Sequence, residues 1–195
     1  MTLGKVTLRA VIGPLMFAHG AQKLFGWFGG PGVDGTAGFF EKLGLRPGRR
    51  LAEAAGIGET TGGALLTLGF LTPLASALIT GSMVTAIRKV HAEKGLWNTK
   101  GGFEYNALIL AVGFLLADDG PGRPSLDELA LPRLKGPGWG LLQLAAGIAG
   151  SYAATEACSE PASEQPVTEA RTGGEPGATR RDGDRATVTA GVTSS

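Results

Sequence analysis

Four apolar blocks fill most of the first ~120 residues of this 195-residue chain, at about 6–25, 51–70, 74–90 and 103–117. A helix of ~20 residues rises ~30 Å, the thickness of a bilayer's hydrocarbon core. Only a helix or a closed barrel satisfies its backbone polar groups in lipid, and blocks of this length are helical rather than strand-like. They predict an all-α fold: an integral membrane four-helix bundle over 1–130. The fourth block is short for a span, but 107–117 carries no charge and reads as helix. Residues 131–154 comprise a linker and a fifth apolar block, 139–154, whose length suits either a fifth C-terminal transmembrane helix or an interfacial one. From 155 to 195 the chain turns to Ser, Thr, Glu, Gly, Pro and Arg, which cannot bury enough apolar surface to fold, so a disordered polar tail is expected.

Composition supports this division. Charged residues are 18% of the chain, against ~25% in a typical soluble domain. Glycine is unusually frequent, with 33 residues, many of them inside the apolar blocks. There each would cost a soluble helix ~1 kcal/mol relative to alanine, whereas between membrane helices small residues let backbones approach closely. Gly58 and Gly62 have the GxxxG spacing of such contacts. The net charge of +1, with Lys and Arg scattered, offers nothing to nucleic acid. The single cysteine, Cys158, closes no internal disulfide and forms no CxxC pair, and two distant histidines predict no metal site.

Between the first two blocks, 26–35 is glycine-rich but lacks the Gly-Lys-Ser/Thr ending of a P-loop. Trp27 and Phe28 suit an interfacial anchor, and 36–43 reads as a short amphipathic helix lying on the interface. Lys5 and Arg9 resemble a signal-peptide n-region, but His19 and Lys23 spoil the apolar stretch and cleavage pattern that should follow. The loops after the first and third blocks hold Lys42, Arg46, Arg49, Arg50, Arg88, Lys89, Lys94 and Lys100, and the opposite side holds Lys5, Arg9, Arg123, Arg133 and Lys135. Eight against five points to a cytoplasmic side at those two loops and an external N-terminus.

Ionisable groups within the blocks are the most informative residues, because each costs ~2.5–3.5 kcal/mol at a helix centre and so turns inward toward partners. At 100° per residue, Arg9, His19 and Lys23 fall within an arc of about 80° on the first helix. Glu53 and Glu59 lie on the second and Glu104 on the fourth, with Asn106 beside it. Cations on one helix and carboxylates on two others predict a polar seam formed by Arg9, His19, Lys23, Glu59, Glu104 and Asn106, with His19 and Glu59 as candidate catalytic groups. Simpler roles stay open: Arg9 and Lys23 near helix ends can snorkel, Glu53 can serve the helix dipole, and His19 can be a hydrogen-bonded core residue. His91, after Arg88 and Lys89, reads as interfacial. No catalytic triad, carboxylate pair, haem attachment or flavin fingerprint is present.

Taken in order, several motifs resemble the DoxX family of small bacterial inner-membrane proteins. They are Arg9 with the run His19-Gly20-Ala21-Gln22-Lys23-Leu24-Phe25-Gly26, then Glu59-Thr60-Thr61-Gly62-Gly63 and Pro73. Phe103-Glu104-Tyr105-Asn106 and Gly120-Pro121-Gly122-Arg123-Pro124-Ser125-Leu126-Asp127 complete the set. The resemblance implies a multi-pass four-helix bundle in the bacterial inner (plasma) membrane. It also implies work beside membrane redox chemistry: DoxD-type relatives look like subunits of a thiosulfate:quinone oxidoreductase, and other members look like anchors for oxidoreductases handling thiol stress. The leading expectation is therefore a subunit or anchor of a thiol-, sulfur- or quinone-linked assembly. Its partners would be the lipid bilayer and a soluble or membrane oxidoreductase, with a quinone or lipid held near the seam. In that role His19 or Lys23 would hydrogen-bond a quinone carbonyl and Glu59 would exchange protons with it. A non-catalytic membrane scaffold and a small-solute transporter are the alternatives.

Overall fold

The computed structural model describes residues 2–159, and these are helical throughout, with no named strand among them. Helix α1 runs Thr2–Phe25, α2 Gly32–Lys42, α3 Gly48–Leu68 and α4 Thr72–Ala86, the last continued by a π-helical turn at Ile87–His91. Helix α5 covers Glu104–Asp118, α6 Leu126–Ala130 and α7 Pro137–Glu156. Each apolar block is helical, with ends that shift by one to four residues: α3 begins three residues early and stops two short, and α5 is displaced by one. The short amphipathic helix expected at 36–43 is α2, which starts four residues earlier and buries Thr36 and Phe40, one turn apart, against its neighbours.

Helices α1 and α3 approach closest, and glycine is the reason. Gly13 and Gly20 of α1 face Gly63 and Gly56 of α3, each pair seven residues apart and so on nearly one face. The contact is reciprocal at the backbone: a Cβ on Gly63 would lie 2.6 Å from the Gly13 carbonyl oxygen, and one on Gly20 2.6 Å from that of Gly56. Gly58 and Gly62, the GxxxG pair, lie about 200° and 240° around the helix from Gly56 and face α4, where a Cβ on Gly62 would meet the Ala75 carbonyl at 3.1 Å. Helix α3 thus presents glycine to two neighbours. Helix α4 is central: Met16, Leu66, Ala75, Ile79, Met83 and Leu116 form the main core from α1, α3, α4 and α5.

Helix α7 packs along α4 through polar pairs. Thr80 Oγ1 donates to Gln143 Oε1 at 3.0 Å, and the hydroxyls of Thr85 and Ser151 are 2.8 Å apart. Arg88 reaches Ser151 and Thr155 and stacks 3.4 Å over the Tyr152 ring. The C-terminal end of α7 then closes on the α2–α3 connection: the Arg46 N–H donates to the Cys158 carbonyl, and Cys158 packs with Phe40, Leu45, Leu51 and Ala52. This corrects the expectation that the unstructured tail begins at 155, since Thr155 and Cys158 are both buried. The remaining tail, from 160, lies outside the described residues.

None of the described helices is both long and apolar enough to cross a membrane. Helices α1 and α3 are about 36 and 31 Å long by their residue counts. However, α1 carries Lys5, Arg9 and Lys23, and α3 carries Arg49, Arg50, Glu53 and Glu59. Helices α4 and α5 are 15 residues each. The distribution of side chains is unusual nonetheless. Arg9, Glu59, Thr72, Ser76, Thr80, Asp127, Gln143 and Ser151 are buried, while Leu3, Val11, Leu15, Ile57, Leu108, Leu141 and Leu142 are exposed.

Alanine at Gly63 would press on the Gly13 carbonyl and the Phe17 backbone, which no side-chain rotation can relieve. We expect Gly63→Ala to lower stability by about 1–3 kcal/mol in thermal unfolding of detergent-solubilised protein. Gly38→Ala, on α2 with nothing within 4 Å, should leave stability equal or raise it by up to ~1 kcal/mol. At the opposite end of the bundle Lys5 Nζ lies 2.7 Å from Asp119 Oδ2, and that hydrogen bond, with the lysine charge, holds the Asp119 carboxyl below the usual range. The hydrogen bond from Lys135, 2.6 Å long, does the same for Glu128. Both folded-state pKa values are depressed, so these contributions are present above about pH 4 and fade as pH falls through the folded values. An acid titration of thermal stability in Lys5→Met should lack the part due to Asp119.

Candidate functional site

The expected seam divides into separate places. Arg9 and Lys23 both turn inward from α1, but 14 residues of helix put them about 21 Å apart. His19 is exposed. The face of α1 that meets α3 is centred on Gly13, Met16 and Gly20, and His19 sits about 60–120° away from those positions. The 80° arc found these residues close together but could not locate its own centre. Glu104 and Asn106 open α5, which packs on α4 and hardly meets α1. Asn106 Nδ2 approaches Met83 Sδ at 3.4 Å, and Glu104 makes no ion pair among the described residues. Glu53 pairs with Arg49 on the surface at 2.9 Å.

Arg9 is buried rather than snorkelling, and it anchors a latch. Its Nη1 donates to the Thr67 carbonyl at 3.1 Å and its Nη2 to the Pro124 carbonyl at 2.5 Å. Next to it the buried Asp127 accepts from the Leu71 and Thr72 N–H groups at 2.8 Å each and from Thr72 Oγ1 at 2.6 Å. Asp127 thereby caps the start of α4 from 55 residues downstream and holds Leu71, whose φ of 47° is left-handed without being glycine. Gly69, at φ 60°, has no room for a side chain: a Cβ would lie 2.6 Å from Ser125 and 2.9 Å from the Arg9 guanidinium carbon. Asp127 was legible in the sequence only as part of a motif, without a role, because nothing local reveals that it caps a helix so far away.

The other inward site is built on Lys23 and Glu59. Lys23 Nζ donates to Glu59 Oε2 in an ion pair whose carboxylate side chain is 3% exposed and whose ammonium side chain is 27% exposed. Their helices are brought together by the glycine contact just described. Glu59 lies near the middle of α3, with no water-exposed alternative, so the pair offsets a burial cost that either ion alone would carry in full.

Beside this pair runs a groove of about 530 Å³. Helix α4 is its floor through Leu74, Leu78, Gly81 and Ser82, and α3 and α7 are its walls through Leu51, Ala54, Gly147 and Ala154. Helices α3 and α7 both pack on α4 but scarcely on each other, which leaves the trough between them. Phe39 and Phe40 of α2 also line it, as do Lys89, Val90 and His91 of the π-helical turn. Its size is that of a small-molecule site, with apolar walls and few polar groups. Sequence reasoning passed over Lys89 as a topology charge; the π-helical turn that carries it to the groove has no sequence signature that we can name. Among the described residues no cluster of His, Cys, Asp or Glu could hold a metal ion.

An all-helical bundle with a buried ion pair facing an apolar groove defines a class of small helical proteins rather than an activity. The DoxX family model matches residues 4–92, from α1 through the π-helical turn, a little under half of the chain, and this supports membership of the DoxX family. Members of this family are membrane proteins, which supports a membrane location for this chain. The motifs at 103–106 and 120–127 lie beyond the matched segment. No curated protein and no solved structure matches the chain.

Removing one partner of the ion pair leaves an uncompensated charge. We expect Lys23→Met to cost about 3 kcal/mol in unfolding free energy, because Glu59 is then buried alone. Glu59→Gln should cost less, since Lys23 keeps partial access to solvent. The double variant Lys23→Met, Glu59→Leu should recover most of the loss, and thermal unfolding of the three proteins side by side decides the matter.

Proposed function

We propose that this chain is a multi-pass subunit of a bacterial inner-membrane redox assembly and that its groove holds a quinone at the Lys23–Glu59 pair. The observation that carries the reading is the placement of this one buried ion pair at the wall of an apolar trough. The inward turning of ions supports membrane insertion. Hydropathy averaged over a whole helix counts Arg9, Lys23 and Glu59 against a span, yet lipid would meet the outer faces, where Val11, Leu15 and Ile57 stand. Pairing and inward orientation lower the insertion cost that an average charges in full.

The groove fits such a ligand in chemistry. Lys23 Nζ is a donor for a carbonyl oxygen, and the alanine, glycine and leucine walls suit a ring and an isoprenoid chain. A bound quinone supplies two-electron, two-proton chemistry. Lys23 would orient the carbonyl by a hydrogen bond, and Glu59, shielded from water, would hold or release a proton at its carboxylate. Electrons would come from an associated oxidoreductase, since this chain carries no cofactor motif of its own.

The test is equilibrium binding of a short-chain ubiquinone analogue to detergent-purified protein. We expect saturable binding that weakens about tenfold or more in Lys23→Met, a loss of ~1.4 kcal/mol or more. Ala54→Phe, which fills the groove without touching the ion pair, should weaken it comparably, and His19→Ala should bind as the parent does. Absence of saturable binding, or equal affinity in Ala54→Phe and the parent, would remove the quinone from the reading and leave a membrane scaffold.

A further inference from the structure

We propose that the mouth of the groove is a binding site for an anionic phospholipid, with Lys89 holding the headgroup phosphate and an acyl chain lying along the α3–α4–α7 trough. The inference rests on the membrane-embedded reading above but not on the quinone.

Charge complementarity chooses the occupant. Within the groove Glu59 neutralises Lys23, so the unbalanced charge is that of Lys89. Lys89 is half-buried and makes no ion pair or hydrogen bond among the described residues. Among the described residues its neighbour Arg88 meets hydroxyls and the Tyr152 ring and no carboxylate. A half-buried unpaired ammonium is unfavourable unless an anion completes it. A quinone is uncharged and leaves that requirement unmet.

Backbone geometry supports the same assignment. The π-helical turn at Ile87–His91 departs from α-helical register, and three consecutive residues, Lys89, Val90 and His91, line the groove. Such turns recur at functional sites. The His91 Nδ1–H donates to the Gly101 carbonyl at 2.6 Å, which fixes the ring and the connection to α5 at the mouth. Deeper in, Gly81 and Gly147 draw α4 and α7 together beneath the trough, and Gly150, with nothing within 4 Å of where a Cβ would stand, leaves room along it for a hydrocarbon chain. Lys42, Arg46 and Arg50 lie at this same end of the bundle, where α2 meets α3, while Arg49 there is paired with Asp34 and Glu53. Basic pockets between membrane helices on the cytoplasmic side are recognised sites for acidic lipid headgroups.

The experiment is lipid retention by delipidated full-length protein, read by native mass spectrometry with matched phosphatidylglycerol and phosphatidylcholine. We expect phosphatidylglycerol to be held about tenfold more tightly, with the preference lost in Lys89→Gln, restored in Lys89→Arg, and unchanged in Lys94→Gln on the exposed loop. Equal retention of the two lipids, or an unaltered preference in Lys89→Gln, overturns the proposal. Competition by millimolar inorganic phosphate that abolishes the preference assigns a free-anion site and overturns it also. Extraction of the protein from membranes by alkaline carbonate would sink the membrane reading instead, and quinone affinity measured without lipid tests the other ligand separately.

Discussion

The contact between α1 and α3 is the constraint from which the rest of the bundle follows. Two glycines on each helix bring the backbones together so closely that a single added methyl would meet a carbonyl oxygen. Dispersion contacts of this kind fall off within fractions of an ångström, so the separation is sharply defined. That separation determines what Lys23 can reach. From the last turns of α1 its side chain extends to Glu59 on the neighbouring helix, and a wider spacing would leave both ions buried apart. Helix α3 can serve α1 on one side and α4 on the other because it has glycine toward both.

Polar chemistry organises the interior in three tiers. At one end Arg9 and Asp127 tie the α3–α4 turn to the segment after α5. Midway, Lys23 and Glu59 neutralise one another beside the groove. Along α4 and α7 hydroxyls and an amide pair across the interface, ending at Arg88. Each tier pairs groups whose helices could otherwise slide past one another, so the hydrogen bonds set register where greasy side chains alone would permit several. Hydrophobic burial then adds stability without having to choose the alignment.

Much of this was readable from the residues. Apolar blocks marked the helices, since a block of that length has one economical conformation. Opposite charges on the first and second blocks anticipated Lys23–Glu59. Periodicity placed Arg9, Lys23 and His19 within one arc but could not say which edge of the arc faces α3, and His19 fell on the outer edge. Glu104 shares its sign with Glu59, yet α5 packs on α4 and α7 and hardly meets α1, an order that composition does not encode. Gly58 and Gly62 were recognisable by spacing, whereas Gly13, Gly20, Gly56 and Gly63 form a contact only when two helices are laid together. Asp127 acts through backbone N–H groups, which every residue has, so no partner could be recognised along the chain.

The latch at Asp127 also bears on the order in which the chain can be completed. Synthesis proceeds from the N-terminus, and the turn joining α3 to α4 emerges 55 residues before its acceptor. Until then the N–H groups of Leu71 and Thr72 lack their carboxylate, and the hairpin they belong to is held by the packing of Gly62 and Leu66 against α4. The turn is closed only after α5 has been made, so a segment that emerges late in synthesis completes one of the earlier bends.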